Sequence, residues 1–473
     1  MTARILFVPS PNIYRQRFAP YIPYGLLSLQ AVGADFASVV DILKPDKSIL
    51  AREYRDSVQL CEDLFAAVDV RSYDVVGFST VCNSFYHTLL FARFAKARNP
   101  RIKVVFGGPY VTKLADRVLA CFDVVDAIFV GEAECSFADF LTRCDTGKIA
   151  FDGIQGVVTR EWHGGPGRVV ADLDELPAVQ DFRDYKDWFD LCIATDAADR
   201  SIPLEASRGC PLQCSFCSTK QVWGAKVRRK SAERLHGEME FLSNLADRSF
   251  FNLIGDNLGV PRAHFLAFCN AFAAVNHRSF EWGCSLKMDR LSPEHLDHMW
   301  DAGMRAMFVG IESGNQKTLD YVRKKTDVAR EIANVRAAIE RGFRVDTSFI
   351  IGFPWETHTD ILDTYSLHCA LLKAGANRSQ IGILCPIPGT EIVAEGVVKF
   401  DLWSSYIAED DIPPNEELQM LVGRYSDLFA HLGHYVTPAV ERSDIKAVRD
   451  AAARMTALHQ RYRSRASCEW NTF

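Results

Sequence analysis

The sequence predicts an α/β protein in which a doubly wound domain is followed by a partial (β/α)6 barrel and a small helical region. Short runs rich in Val, Ile and Phe alternate along the chain with longer helical patterns. In the first part of the chain these runs end in Gly, Ser or Asp, which is typical of buried parallel strands. The lengths between the runs fit crossover helices, which join parallel strands.

Five expected strands define the first unit, residues 1–145, for which we predict a Rossmann-like sheet. They are residues 5–8, 39–41, 75–79, 104–108 and 127–131. Ligands of a doubly wound sheet bind beyond the carboxyl ends of its strands. In this chain those ends carry mostly small residues and one carboxylate: Pro9, Ser79, Gly107, Gly108, Gly131 and Glu132.

Residues 146–200 are expected to form a linker, and residues 201–400 a second α/β series. Six strands predict a partial barrel whose working face lies at the strand carboxyl ends. They are residues 203–206, 250–254, 280–284, 306–311, 347–351 and 380–384. Residues 401–473 have helical patterns. We expect the two α/β units to have separate hydrophobic cores.

Composition narrows the class of protein. The 473 residues carry a formal net charge of -6, which gives no general electrostatic reason to expect a nucleic acid as partner. No apolar run approaches the roughly 18 residues of a membrane span, and the first residues do not resemble a signal peptide. We therefore expect a cytoplasmic protein without a membrane partner. In that setting 14 cysteines favour buried thiols and a metal site over disulfides.

Three cysteines, Cys210, Cys214 and Cys217, follow the first expected barrel strand with C-x3-C-x2-C spacing. Thiolates are the usual ligands of iron–sulfur clusters, and a compact loop can wrap one corner of such a cube. Three ligands for four irons leave one iron open for a substrate or cofactor, as at catalytic metal sites. Three buried structural cysteines, or a zinc site without its fourth ligand, are the competing interpretations.

The segment 205–217 resembles the cysteine motif of the radical S-adenosylmethionine (SAM) superfamily, and the resemblance extends over about residues 202–400. It implies a [4Fe–4S] cluster whose open iron binds the methionyl amine and carboxylate of SAM. Reduction would then cleave SAM to a 5′-deoxyadenosyl radical. Motifs in the same order imply further SAM contacts: Phe216 on the adenine, Gly255 and Asp256 at the methionyl amine, Glu312 as a polar contact, and Ile350 beside the adenine.

The first unit resembles the cobalamin-binding domain that often precedes such a barrel. The matching segments are 23–27, 76–79, 107–109 and 130–134. The resemblance implies that Ser79, Gly107, Gly108, Gly131 and Glu132 contact cobalamin. Glycines at strand ends let the backbone approach a flat corrin. No Asp-x-His-x-x-Gly stretch follows the first strand, so we expect a lower face without a His ligand; alternatively, the domain keeps the fold without the cofactor.

These resemblances favour a cobalamin-dependent radical SAM methyltransferase that acts on an unactivated carbon, or on phosphorus, of a small molecule or peptide. One SAM would supply the radical, a second would methylate the corrin, and flavodoxin or ferredoxin would supply electrons. The alternatives are radical chemistry without methyl transfer, such as cyclisation, ring contraction, epimerisation or oxidation, and a cobalamin-binding sensor or carrier. The intact cysteine triad counts against the last.

Two basic segments remain outside these motifs. Residues 223–230 contain four Lys or Arg residues, and Lys324 is followed by Lys325. We expect both segments to be solvated surface; the alternative for residues 223–230 is contact with an anionic substrate or an electron donor near a reduced cluster.

Overall fold

The computed structural model describes residues 2–14, 16–66, 68–195, 201–394, 396–400 and 415–470. The chain forms two six-stranded sheets, one in each α/β unit. Among the described residues, no helix combines the length and the apolar character that a membrane span requires.

The first unit is a doubly wound sheet, as predicted. Its strand order is β4-β1-β5-β6-β7-β8, and all pairs are parallel except β7 with β8. The strand β8 lies inside the expected linker and completes this sheet. In chain order the elements are β1 (Arg4–Val8), β2 (Ile13–Tyr14), β3 (Arg17–Phe18), α1 (Tyr24–Val32), β4 (Val39–Ile42), α2 (Ser57–Phe65), β5 (Val75–Ser79), α3 (Phe85–Arg98), β6 (Lys103–Gly107), α4 (Ala115–Cys121), β7 (Ala127–Phe129), α5 (Glu134–Asp145), β8 (Val157–Val158) and, in the linker, α6 (Tyr185–Thr195).

The second unit is an open barrel of six parallel strands, which confirms the predicted (β/α)6 arrangement. Its order is β16-β15-β14-β13-β12-β9, and a short hairpin of β10 with β11 brackets the cysteines. The elements are β9 (Ile202–Glu205), β10 (Ser207–Arg208), α7 (Thr219–Trp223), β11 (Arg228–Arg229), α8 (Ala232–Ala246), β12 (Phe250–Ile254), α9 (Arg262–Asn276), β13 (Glu281–Leu286), α10 (Pro293–Asp301), β14 (Met304–Glu312), α11 (Gln316–Tyr321), α12 (Val328–Glu340), β15 (Arg344–Ile351), α13 (His358–Lys373) and β16 (Arg378–Ile383).

The C-terminal region is mainly helical, as expected, and it also contains a short hairpin. Its elements are β17 (Val398–Phe400), α14 (Glu416–Arg424), β18 (Gly433–Tyr435) and α15 (Arg442–Trp470). The part of the expected helical region at 401–414 lies outside the described residues. The helix α14 packs on the first unit, while α15 covers the edge strand β16. This region therefore contacts both α/β units.

The expectation of separate cores is wrong. One hydrophobic cluster runs from the first sheet through the linker into the barrel. Tyr185 and Trp188 of α6 are each 1 % exposed and provide the link. Aromatic side chains bury large apolar areas, so a few of them can join two cores. The boundaries at 145, 200 and 400 remain a proposal from the sequence.

Candidate functional site

The three cysteines of the expected cluster motif line one cavity of about 230 Å³ near the carboxyl ends of the barrel strands. We call this the cluster-loop cavity. Cys217 is exposed, and Cys210 and Cys214 are half-buried. Burial raises the pKa of the Cys214 thiol to about 11, although the positive charge of Lys324 acts to lower it. A thiol of this kind needs the positive charge of bound iron to hold it as a thiolate.

The backbone of the cysteine loop is fixed on both sides. The Cys210 N–H donates to the Gly224 carbonyl at 3.3 Å, and the Ser215 N–H donates to the Val322 carbonyl at 3.0 Å. Gly209 has φ +95°, and a Cβ there would lie 2.3 Å from the Lys226 carbonyl oxygen, so only glycine fits. A fixed loop with three thiols around one cavity fits a cubic cluster. Among the described residues, no three His, Cys, Asp or Glu side chains are grouped for a single metal ion.

Phe216, Asp256 and Glu312 line the cluster-loop cavity, as the motifs imply. Asp256 also supports the loop, since its carboxylate accepts from the Gly209 N–H at 3.0 Å and from the Thr219 hydroxyl at 3.1 Å. Burial raises the pKa of Asp256. Asn257, the next residue, lines the same cavity and buries an Oδ1 atom that has no partner among the described residues. That acceptor suits a ligand ammonium group, and Asn257 belongs to the segment 255–257 whose resemblance implies contact with the methionyl amine.

Gly255 lies beside the cavity at a point of close packing. A Cβ on Gly255 would approach Ser207 Oγ to 2.1 Å, which explains the glycine. Ile350, near the end of β15, does not line the cavity. It packs with Phe216 and Phe353 in a small apolar cluster behind it. After β15, Glu356 fixes the turn, because its Oε2 atom accepts from the Gly352 N–H at 2.7 Å and the Phe353 N–H at 3.0 Å.

Two buried lysines supply positive charge to the cluster-loop cavity. Lys324 Nζ donates to Glu312 Oε1 at 2.8 Å, and its side chain is only 8 % exposed. Burial lowers the pKa of Lys324, but the Glu312 and Glu331 carboxylates outweigh it and the net direction is upward. Lys287 is also buried and pairs with Asp289 at 3.2 Å. Two ammonium groups suit the carboxylate of an amino-acid ligand.

The expectation that Lys324 lies on the solvated surface is therefore wrong. A Lys-Lys pair after a short helix gives no sign of burial, because the partner of Lys324 is Glu312, at the end of the preceding strand β14. Glu312 itself has φ +70°, where the pairing of β14 with β15 shifts register. Such a conformation is rare for a residue with a side chain and is enriched at functional sites.

A second cavity, of about 340 Å³, lies at the carboxyl edge of the first sheet. We call it the sheet-edge cavity. It brings together the five residues assigned from the sequence to cobalamin contact: Ser79, Gly107, Gly108, Gly131 and Glu132. Gly108 has φ +97°, and its Cβ would lie 2.8 Å from backbone atoms of Thr80. The barrel contributes Arg208, Trp223 and Ile254 to the opposite wall.

Glu132 is committed to an ion-pair network as well as to the cavity wall. Its Oε2 accepts from Arg208 Nη1 at 3.0 Å and from Arg228 Nη1 at 2.9 Å. The side chains are almost inaccessible, at 1 % exposed for Glu132, 3 % for Arg208 and 4 % for Arg228. Lys230 is buried too and pairs with Glu238 at 2.7 Å. The prediction of a solvated segment at 223–230 is therefore wrong for these side chains.

The domain content follows from comparison with known families. The sequence profile of the radical SAM superfamily matches residues 204–368, and that of the B12 binding domain matches residues 18–141. The chain thus belongs to the radical SAM superfamily, in the class that carries a B12-binding domain.

Curated relatives are distant. An uncharacterized methyltransferase of Pyrococcus horikoshii is 24 % identical over 79 % of this chain and 81 % of its own length. Hopanoid C-3 methylase of Methylococcus capsulatus is 26 % identical over 81 % and 70 %. Anaerobic magnesium-protoporphyrin IX monomethyl ester cyclase of Rubrivivax gelatinosus is 28 % identical over 62 % of this chain, which spans 54 % of that protein.

Solved structures share the whole architecture. The radical SAM methyltransferase TsrM of Kitasatospora setae, with cobalamin and a [4Fe–4S] cluster bound, aligns with a TM-score of 0.71 over 96 % of this chain and 91 % of its own, at 17 % identity. The cobalamin-dependent SAM radical enzyme OxsB, with aqua-cobalamin bound, aligns with a TM-score of 0.64 over 96 % and 66 %, at 13 % identity. At these identities the likeness establishes the fold.

Proposed function

We propose that the protein is a cobalamin-dependent radical SAM methyltransferase that acts on an unactivated carbon, or on phosphorus, of a small molecule or peptide. The observation that carries the proposal is the adjacency of the two cavities. Ile254, the last residue of β12, lines the sheet-edge cavity, and Asp256, two residues later, lines the cluster-loop cavity. A methyl donor and a radical source held there would face the same substrate atom.

When bound, the cluster and SAM supply the radical chemistry, and the corrin supplies the methyl group. The cysteine triad would hold the cluster. Lys287 and Lys324 would attract the SAM carboxylate, and Asn257 would accept from its ammonium group. The residues at the sheet edge would let the corrin lie flat against backbone. We propose a corrin lower face without a His ligand; in support, the described residues that line the sheet-edge cavity include no histidine.

The barrel interior offers a place for the substrate. Phe308 and Ile254 are 40 % and 42 % exposed, and they line the cluster-loop cavity and the sheet-edge cavity respectively. Below them lies a cavity of about 640 Å³ that shares Phe308 and Ser285 with the cluster-loop cavity and is also lined by Asn252 and Asp346. We propose that the reacting carbon lies beside Phe308 and Ile254, next to both cofactor cavities, and that polar groups of the substrate extend into this lumen cavity.

One anaerobic experiment tests the proposal. The full chain, reconstituted with iron, sulfide and hydroxocobalamin, is incubated with SAM and titanium(III) citrate. We expect bound corrin, 5′-deoxyadenosine and S-adenosylhomocysteine. Formation of 5′-deoxyadenosine without corrin binding would instead favour non-methylating radical chemistry. Replacing the citrate by flavodoxin or ferredoxin tests the proposed reducing partner.

A further inference from the structure

A buried group of charges joins the first unit to the barrel at the wall between the two cavities. Arg208 donates to Glu132 at 3.0 Å and to Glu134 at 2.8 Å, both in the first unit. It also donates to Glu205 of the barrel, through Nε at 2.9 Å. The ring of Trp223 lies 4.9 Å from the Arg208 guanidinium. We call these residues, with Arg228, the Arg208 network.

Two arginines of the network, Arg208 and Arg228, would repel each other if the carboxylates of the network were absent. Arg208 and Arg228 lie directly opposite each other in the pairing of β10 with β11. Like charges in that position repel. Glu132 removes the repulsion because it accepts from both guanidinium groups. The β10–β11 hairpin therefore depends on a carboxylate from the other α/β unit.

The same hairpin carries the cysteine loop. Arg208 is two residues before Cys210, and the intervening Gly209 is packed against the Lys226 carbonyl. On the other side, Glu132 directly follows Gly131 at the edge where a corrin would rest. A displacement of the Arg208 side chain would therefore move the cysteine loop relative to the sheet edge.

We propose that Arg208 is a positioning residue that fixes the distance between a corrin at the sheet-edge cavity and a cluster on Cys210, Cys214 and Cys217. This inference rests on the proposed function, because it requires that both groups bind. Arg208 is suited to the task since its planar fork makes several hydrogen bonds in fixed directions, which a Lys ammonium cannot reproduce. A buried ion pair adds little net stability compared with apolar packing of the same volume, which favours a geometric role for this one.

The test compares Arg208→Gln and Arg208→Lys with a matched control, Arg234→Gln. Arg234 makes a part-buried contact between the barrel and the linker, to the Leu176 carbonyl at 2.9 Å, and it pairs with Glu238 of its own helix, but it lines neither cavity. Each full chain is loaded with hydroxocobalamin and cluster and then reduced. Pulsed EPR between cob(II)alamin and the reduced cluster gives their distance distribution.

We expect a narrow distribution for the wild type and the control. For Arg208→Gln it should broaden at least about twofold, and S-adenosylhomocysteine formed per 5′-deoxyadenosine should fall about tenfold or more, because small misplacements of reacting groups cost large factors in rate. Arg208→Lys keeps the positive charge but not the fork of donors, so its distance distribution should be intermediate in width between those of the wild type and Arg208→Gln. Cluster content should stay near wild type in the soluble fraction, and both readouts are taken per bound corrin, because Arg208 also lines the sheet-edge cavity.

Loss of a buried arginine leaves carboxylates unpaired, so Arg208→Gln could fail to fold. In that case Glu134→Gln is the test variant. It removes the charge of one carboxylate that pairs with Arg208 and keeps the shape of the side chain. A wild-type distribution and product ratio in folded Glu134→Gln and Arg208→Lys proteins would overturn the inference. If the wild-type protein itself bound no corrin, the proposed function would be refuted. That result is distinguishable from variants that bind both groups and behave like the wild type, which would refute only the role of Arg208.

Discussion

Gly107→Val is the substitution that tests the sheet-edge cavity most directly. A Cβ on Gly107 would meet only the Phe129 carbonyl oxygen at 3.8 Å and Phe129 Cβ at 3.9 Å, which are ordinary contacts. The fold therefore accepts a side chain at Gly107. The isopropyl group would then occupy part of the 340 Å³ cavity that the corrin needs.

The expected loss of corrin affinity follows from the cost of overpacking. Forcing extra carbon atoms into a fitted site costs about 1–3 kcal/mol. That range corresponds to a dissociation constant for hydroxocobalamin raised about 5- to 150-fold. Equilibrium dialysis of the cluster-free full chain measures it, and thermal unfolding checks that the protein is folded. Gly107→Ala, with its smaller group, should give a smaller loss.

The neighbouring glycine is not equivalent. Gly108→Val would combine φ +97° with a contact of 2.8 Å to Thr80 backbone atoms, so it strains the sheet itself. Because the two units share a core, that damage would extend to the barrel. Gly237→Ala in α8, where nothing lies within 4 Å, is the control that should leave corrin affinity unchanged. Wild-type affinity in folded Gly107→Val would refute corrin binding at this edge.

Three further predictions concern the barrel. Cys214→Ala should remove most of the iron–sulfur absorbance and all 5′-deoxyadenosine formation, and a variant that keeps both would contradict the cluster assignment. Glu312→Gln should weaken SAM binding by about 1–3 kcal/mol with the cluster intact, measured by equilibrium dialysis; unchanged affinity would make Glu312 structural. Burial raises the pKa of Glu356 from 4.5 to about 8, so between these pH values the native state retains a proton that the unfolded chain releases. The free energy of unfolding should therefore fall as the pH rises from 4.5 to about 8. Glu356→Gln should flatten that pH dependence in denaturant titrations, and an unchanged slope would refute the assignment.

Local sequence patterns were sufficient to place the strands. The expected strands at 75–79 and 250–254 match β5 and β12 residue for residue, and the other main strands shift by one to three residues at their ends. Continuous apolar runs between turn residues specify buried parallel strands without knowledge of their partners. The three cysteines were recognisable as a motif for a similar reason, since all three lie within one loop.

Charged residues whose partners are distant in sequence were not predictable in the same way. Arg208 and Arg228 are buried because Glu132 and Glu134 come from the other unit, more than 70 positions earlier. A basic run is more often solvated, so its sequence alone favours the surface. The shared core was missed for the same reason, because the packing of α6 against both sheets is a tertiary contact.

The rigid connection between the units bears on how a substrate reaches the site. Small polar interfaces between domains allow them to open, whereas large apolar ones do not. Here a continuous core, the Arg208 network and contacts of the C-terminal region to both units join the sheet edge to the barrel. Opening between the units would have to expose Arg208 and Glu132 unpaired, which is costly for buried charges. The lumen cavity requires no such opening, because its lining already meets the cluster-loop cavity at Phe308. We therefore expect a bulky side chain at Ser285, which lines both the lumen cavity and the cluster-loop cavity, to hinder the substrate or SAM while leaving corrin affinity unchanged.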